Sequence, residues 1–126
     1  MDTYMDFKEN GSEEIHYNDP EYPIFCQRGM LSYYPNYICP SHWHDEIELI
    51  YVTSGETIYN INGEAVQVKT GEGIFVNSRK MHFAYSEQKE CEYLCILLHP
   101  MLLCSSMNIE RDFIKPVIQN KNLTFL

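Results

Sequence analysis

A chain of 126 residues that is 44% hydrophobic has the size and composition of one globular domain with a real core. Nine Lys and Arg stand against 18 Asp and Glu, a formal net charge of −9, and the cations are scattered, so the chain is expected not to bind nucleic acid by itself. No apolar run approaches a membrane span and residues 1–4 open no secretory signal, so the expected location is cytoplasmic, with no membrane partner, and the odd set of five cysteines is expected to be reduced.

Residues 1–20 carry Asp2, Asp6, Glu9, Glu13, Glu14 and Asp19 with little apolar periodicity, which reads as an acidic, partly disordered lead-in. A first strand is expected over 24–30, after which Pro35-Asn36 turns the chain toward a histidine-rich stretch. Alternating or β-branched runs then predict strands at 47–52, 57–61 and 65–69, the last two joined by Asn62-Gly63. Asn-Gly accepts positive φ at both central positions of a type I′ turn, the twist that a two-residue hairpin needs. Residues 70–73 make another turn into a strand at 74–76, and 92–98 form a last strong strand. Short strands punctuated by turns over 21–100 predict an all-β jelly-roll barrel.

After Pro100 the period changes. Ile109, Phe113, Ile114, Val117 and Ile118 make one apolar stripe at helical spacing, with Ser105, Ser106 or Asn108 as candidate caps and Pro116 as an expected break or kink. Residues 101–126 therefore read as a C-terminal helical segment, and the stripe is a candidate for self-association into a homodimer. The apolar end at Leu123 to Leu126 reads as a cut from something longer.

The chemistry is concentrated at His42-Trp43-His44-Asp45-Glu46-Ile47-Glu48, followed by Gly55 and, downstream, His82. Two histidines two apart on a strand leave the same face, about 6.6 Å apart along the backbone, close enough to converge on one ion or ligand. A straight strand would carry Glu48 about 13 Å past His44, so a four-residue site requires a bulge or bend near Asp45-Glu46. If there is none, Glu48 serves as a hydrogen-bond acceptor or as the partner of a ligand's cation. Three imidazoles and a carboxylate suit zinc, nickel, manganese or iron(II), and a hydrogen-bonded pocket without metal is the alternative. Cys91, Cys95 and His99 share strand parity, but four-residue steps separate them by about 13 Å, too far for one ion. Tyr33, Tyr34, Tyr37, Tyr51 and Tyr59 are candidates for the wall of a ligand pocket, Tyr33 and Tyr37 above all, or for simple core filling.

His42-x-His44-x3-Glu48-x6-Gly55 resembles the first cupin motif, and Gly71 to His82 resembles the second. Asn36 stands at the first motif's leading glycine, Asn77 and Arg79 replace the second motif's proline and glycine, and Ser86 replaces its closing asparagine. The stretch from Ser41 through Gly55, with Asn62-Gly63 and Gly71 to His82, is more similar to the N-terminal sensing domain of AraC-type transcriptional regulators. That resemblance implies a cupin-like double-stranded β-helix that binds a small-molecule effector beside His42, His44, Glu48 and His82. It also implies a dimer-forming, non-enzymatic module, with DNA bound only through a helix-turn-helix part absent from this sequence. A metal-dependent cupin enzyme, a small dioxygenase or isomerase, is the alternative.

Overall fold

The computed structural model describes residues 5–87 and 89–126. Residues 1–4, where the expected absence of an export signal falls, lie outside the described residues. Ten strands are described: β1 (Asp6–Phe7), β2 (Glu13–Glu14), β3 (Ile24–Met30), β4 (Ile38–His42), β5 (Ile47–Ser54), β6 (Glu56–Ile61), β7 (Glu64–Lys69), β8 (Gly73–Val76), β9 (His82–Tyr85) and β10 (Glu92–Leu98). β1 pairs with β2, and the others form two four-stranded antiparallel sheets ordered β3-β10-β5-β8 and β4-β9-β6-β7. The architecture is the all-β double-sheet barrel that the spacing of turns predicts.

Alternation builds the interior. In β5 Glu48, Ile50 and Val52 are buried while Leu49 and Tyr51 are exposed, and in β6 Thr57, Tyr59 and Ile61 are buried. Ile74 and Val76 of β8, Ala84 of β9, Leu97 of β10 and Val68 of β7 join the buried hydrophobic set, with Leu31 between β3 and β4 and Cys91 just before β10. Each fully buried Val, Ile or Leu contributes about 1.5–3 kcal/mol. Asn62 and Gly63 adopt φ of 50° and 87° at the tip of the β6–β7 hairpin, as their turn chemistry requires. At Gly55 φ is 78°, and a Cβ there would collide with the Glu90 carbonyl, so glycine ends β5 for a steric reason.

Three segments differ from the sequence expectations. The acidic lead-in carries β1 and β2, and this hairpin lies on the barrel: Glu13 N donates to Trp43 O at 2.8 Å and Trp43 N to Gly11 O at 3.0 Å. Pro116 does not end the C-terminal helix. Met107–Ile109, Glu110–Ile114 and Lys115–Ile118 run on as one helical stretch with a π turn in the middle, and Pro116 directly follows that π turn, where the regular i→i−4 ladder is already interrupted. Of the three candidate caps, Ser106 accepts from Ile109 N at 3.2 Å. The apolar end folds back onto the barrel: Phe75 and Leu126 exchange backbone hydrogen bonds, and Asn77 N donates to Thr124 O, so 124–126 add to the β8 edge. Among the described residues no helix is long and apolar enough to cross a membrane.

Candidate functional site

His42 and His82 face each other across the β4–β9 pairing, with ring centroids 4.3 Å apart. His44 follows His42 on the same inner face, and the chain then bends at Asp45-Glu46 before entering β5 in the opposite sheet. The bend removes the 13 Å separation that a straight strand would impose. Glu48 Oε1 stands 4.0 Å from His44 Nε2, and Glu48 Oε2 stands 3.3 Å from His82 Nε2. All four side chains are buried, and one ring nitrogen from each of the three histidines lies within 4.8 Å of the others, an arrangement that could hold a metal ion.

Backbone carbonyls orient the rings. His42 Nδ1 donates to Pro40 O at 2.6 Å and His82 Nδ1 to Lys80 O at 2.7 Å, the same two-residue reach on two strands, while His44 Nδ1 donates to Glu46 O at 2.9 Å. A carbonyl can only accept, so each Nδ1 carries a proton and each neutral ring turns an Nε2 lone pair inward. His44 Nε2, His82 Nε2 and Glu48 Oε2 are buried without a hydrogen-bond partner, the 3.3 Å approach of the last two being out of line. Acceptors facing acceptors repel unless a proton or a cation sits among them. Histidine rings held by a hydrogen bond on the far nitrogen are how proteins present ligands to zinc, nickel, manganese or iron(II), so these residues fit a metal ion.

The titration behaviour follows from the same crowding. Burial, and then the neighbouring His82, pushes His42 down to about 3. Burial also lowers His44, although Glu48 opposes it. At Glu48 burial works against ionisation, but the His82, His44 and His42 rings outweigh it and hold the carboxyl at about 2. His82 is raised: burial disfavours its charge and the Glu48 carboxylate overrides that.

The site opens into a cavity of about 100 Å³ between the sheets. Tyr33, Tyr34, Tyr59, Tyr93, Cys39 and Cys95 supply much of its wall, with Glu13, Glu48, His42 and His82 at one part of it. Tyr33 lines the cavity. Tyr37 does not; left-handed conformations at Asn36 and Tyr37 (φ 57° and 59°) set its ring against the hydrophobic core instead. Tyr51 is exposed on the outer face of β5. Sequence reasoning missed Glu13, Cys39, Tyr93 and Cys95. The last two share inward parity with Leu97 on β10, a signal available once β10 is recognised, whereas nothing in the spacing of the acidic lead-in singles out Glu13.

The departures from the two cupin motifs have local explanations. Asn36 and Arg79, which stand where the motifs have glycine, both adopt left-handed φ, 57° and 62°. The glycine conformation is kept without the glycine, easily by Asn and at some cost by Arg. Asn77, at the proline position, uses the N–H that proline lacks to reach Thr124 O at 2.9 Å.

The family model described as the AraC-like ligand binding domain matches residues 27–120. Over 119 residues the chain is 29% identical to an uncharacterised HTH-type transcriptional regulator, YdeC, of Bacillus subtilis (strain 168), covering 94% of this chain and 40% of that protein. The chain thus spans well under half the length of this curated relative. Among solved structures, a predicted oxalate decarboxylase from Thermotoga maritima aligns with a TM-score of 0.53 and 26% identity over 60% of this chain and 65% of the other. A Cupin 2 conserved barrel domain protein from Leptotrichia buccalis aligns with a TM-score of 0.57 and 20% identity over 66% and 38%, and one from Salinispora arenicola with 0.54 and 12% over 67% and 70%. These barrels share the fold described above.

Proposed function

The chain belongs to the AraC-like ligand-binding domain family, and from that membership we propose that it is the effector-sensing part of a transcriptional regulator, binding a divalent transition-metal ion at His42, His44, His82 and Glu48 and a small molecule in the adjoining cavity. The observation that carries this reading is the set of buried, inward Nε2 and carboxylate atoms left without partners beside the cavity. No Lys or Arg lines that cavity among the described residues, so an effector's oxygen or nitrogen would find its positive partner in the ion, and its apolar part would meet Tyr34, Tyr59 and Tyr93. DNA recognition would fall to another part of the regulator, because this domain sets nine Lys and Arg against 18 Asp and Glu. A ligand acts on such a regulator only through a difference in affinity for two arrangements of the domain or its partners.

A second reading, a metal-dependent cupin enzyme, is favoured by one observation: the same residues form a ready metal triad in a barrel similar to a predicted oxalate decarboxylase. Thermal-shift screening of metal ions and metabolites, with and without chelator, tests the leading reading, since anything bound only by the native state raises its stability. Ion-dependent stabilisation plus a further shift from an unconverted small molecule supports sensing. Steady turnover of such a molecule supports the enzyme, and no shift from any ion or molecule overturns both.

A further inference from the structure

Glu13 lies outside the stretch that matches the family, residues 27–120, yet its carboxylate reaches the histidines. Glu13 Oε1 stands 3.6 Å from His42 Nε2, its side chain is only 10% exposed, and it lines the same cavity as His42, Glu48 and His82. A second, largely shielded carboxylate therefore faces a cluster of inward acceptors into which the protein sends no Lys or Arg among the described residues. Burying two carboxylates together is costly unless a cation compensates them, and one divalent ion would balance both charges.

The segment that carries Glu13 has little else to hold it. β1 and β2 are two residues each, far below what keeps a hairpin in place by itself. It meets the barrel through backbone bonds to Trp43, the Trp43 indole N–H donating to Asn10 O at 3.1 Å, and the Phe7 ring 5.7 Å from His42. Trp43 sits between two of the proposed ligands in sequence, so the hairpin is fastened along the backbone edge of the segment whose inner face presents them.

We propose that Glu13 is a further ligand of the cation held by His42, His44, Glu48 and His82, so that binding the ion locks the N-terminal hairpin onto the barrel. This rests on the metal reading above. Carboxylate oxygen is an accepted donor to zinc, manganese, nickel and iron(II), and three imidazoles with two carboxylates make a donor set that suits each of them.

The test compares the wild-type chain with Glu13→Gln, Glu14→Gln and His44→Ala. Affinities for zinc, nickel, manganese and iron(II) alone are measured by competition against a chelator. Hydrogen exchange of the backbone amides at 11–13 and 43 is followed with and without the ion, and the emission of Trp43, the single tryptophan, gives a second readout. The proposal expects Glu13→Gln to weaken the ion by about tenfold or more, since removal even of a group that only supports a ligand costs that much. It also expects the ion to slow exchange at these amides in the wild type and not in Glu13→Gln, while Glu14→Gln, an exposed neighbour, behaves as wild type. If Glu13→Gln unfolds, Glu13→Asp, which keeps the charge, replaces it and must show a smaller loss of the same kind. Unchanged affinity in Glu13→Gln with equal protection of the hairpin overturns this proposal and leaves the histidine site standing. A wild type that binds none of the four ions overturns both.

Discussion

The side-chain amide of Asn77 donates to the backbone carbonyl of Val117 at 2.8 Å and thereby ties the end of β8 to the C-terminal helical stretch. The same amide group reaches Leu123 O at 2.8 Å, and its oxygen accepts from Ser78 N. Ser78 Oγ in turn donates to Asp45 O at 2.6 Å, and Arg79 N donates to His44 O at 2.8 Å. The bend that carries His44 into the site and the helix that leaves the barrel are thus joined by three consecutive residues, 77–79. A shift of the His44–Glu46 turn has a short, buried hydrogen-bonded route to the C-terminal segment.

Asn77 is 2% exposed, so Asn77→Ala leaves the carbonyls of Val117 and Leu123 without this donor. We expect a loss of about 1–3 kcal/mol, the cost of leaving the Leu123 carbonyl and the buried Ser78 N–H without these partners, while Val117 O still accepts from Asn120 N. Denaturant unfolding checks the magnitude, and hydrogen exchange should find the loosening concentrated at 115–126. An Asn77→Ala variant as stable as wild type would show that the C-terminal stretch holds without it.

For the metal site, the sharp comparison is the increment that an ion adds. An ion present at a hundred times its dissociation constant adds about 2.7 kcal/mol, which for a chain of this size is roughly 10 °C in Tm. We expect zinc to raise the Tm of the wild type by an amount of that order, EDTA to reverse it, and His44→Ala to lose the increment whatever its own starting Tm. An identical increment in wild type and His44→Ala would place the ion elsewhere.

The parts that were legible in the sequence are those governed by local chemistry. Asn62-Gly63 dictates its hairpin, and the parity of His42 and His44 puts both rings on one face of β4 and its continuation. Even the need for a bend at Asp45-Glu46 follows from strand rise alone. Glu13, Tyr37 and the returning end at Thr124 to Leu126 were not legible, because each is decided by a contact across the fold. Glu13 matters through a neighbour 29 positions on, His42, and Phe125 through the free edge of β8. Asn36 and Arg79 look like broken motif positions in the sequence, yet they retain the glycine backbone conformation, which composition cannot reveal.

Acid should unfold the ion-free domain steeply only below about pH 4.5. His42 is held at about 3 in the fold against an ordinary 6.5, so between those values the unfolded chain binds a proton that the folded one does not, and stability falls as pH falls. Glu13 runs the other way: raised by burial and by Glu48 to about 7, it binds a proton in the fold between pH 7 and 4.5 and offsets His42 there. Below 4.5 that offset ends, and Glu48, held at about 2, adds a further differential proton of the same sign as His42. His44, also lowered by burial, acts with the sign of His42 in both regions, and each differential proton corresponds to about 1.4 kcal/mol per pH unit. Urea unfolding in EDTA from pH 7 to pH 3.5 should show a shallow region followed by this steep one, and Glu48→Gln should lessen the steep slope. A uniform slope across the whole range would contradict this assignment.

Self-association is expected through the outer edge of the C-terminal helix. Ile109, Ile114 and Ile118 are half-buried on one side of it, while Phe113 is 65% exposed, Met107 85% and Val117 39%. Phe113 and Val117 are one turn apart, so they form a continuous apolar ridge that the barrel does not cover. A lone exposed side chain would need no explanation, but a ridge on a helix whose other edge is already packed is best buried against a copy of itself, since two-fold pairs are the commonest oligomers. Analytical ultracentrifugation should therefore detect a dimer at micromolar concentration. Phe113→Asp should move it to monomer with little change in Tm, because the phenylalanine contributes little to the domain's own core. A monomeric wild type at that concentration would dismiss the interface, and a Phe113→Asp chain that unfolds would mean the side chain packs within the domain after all.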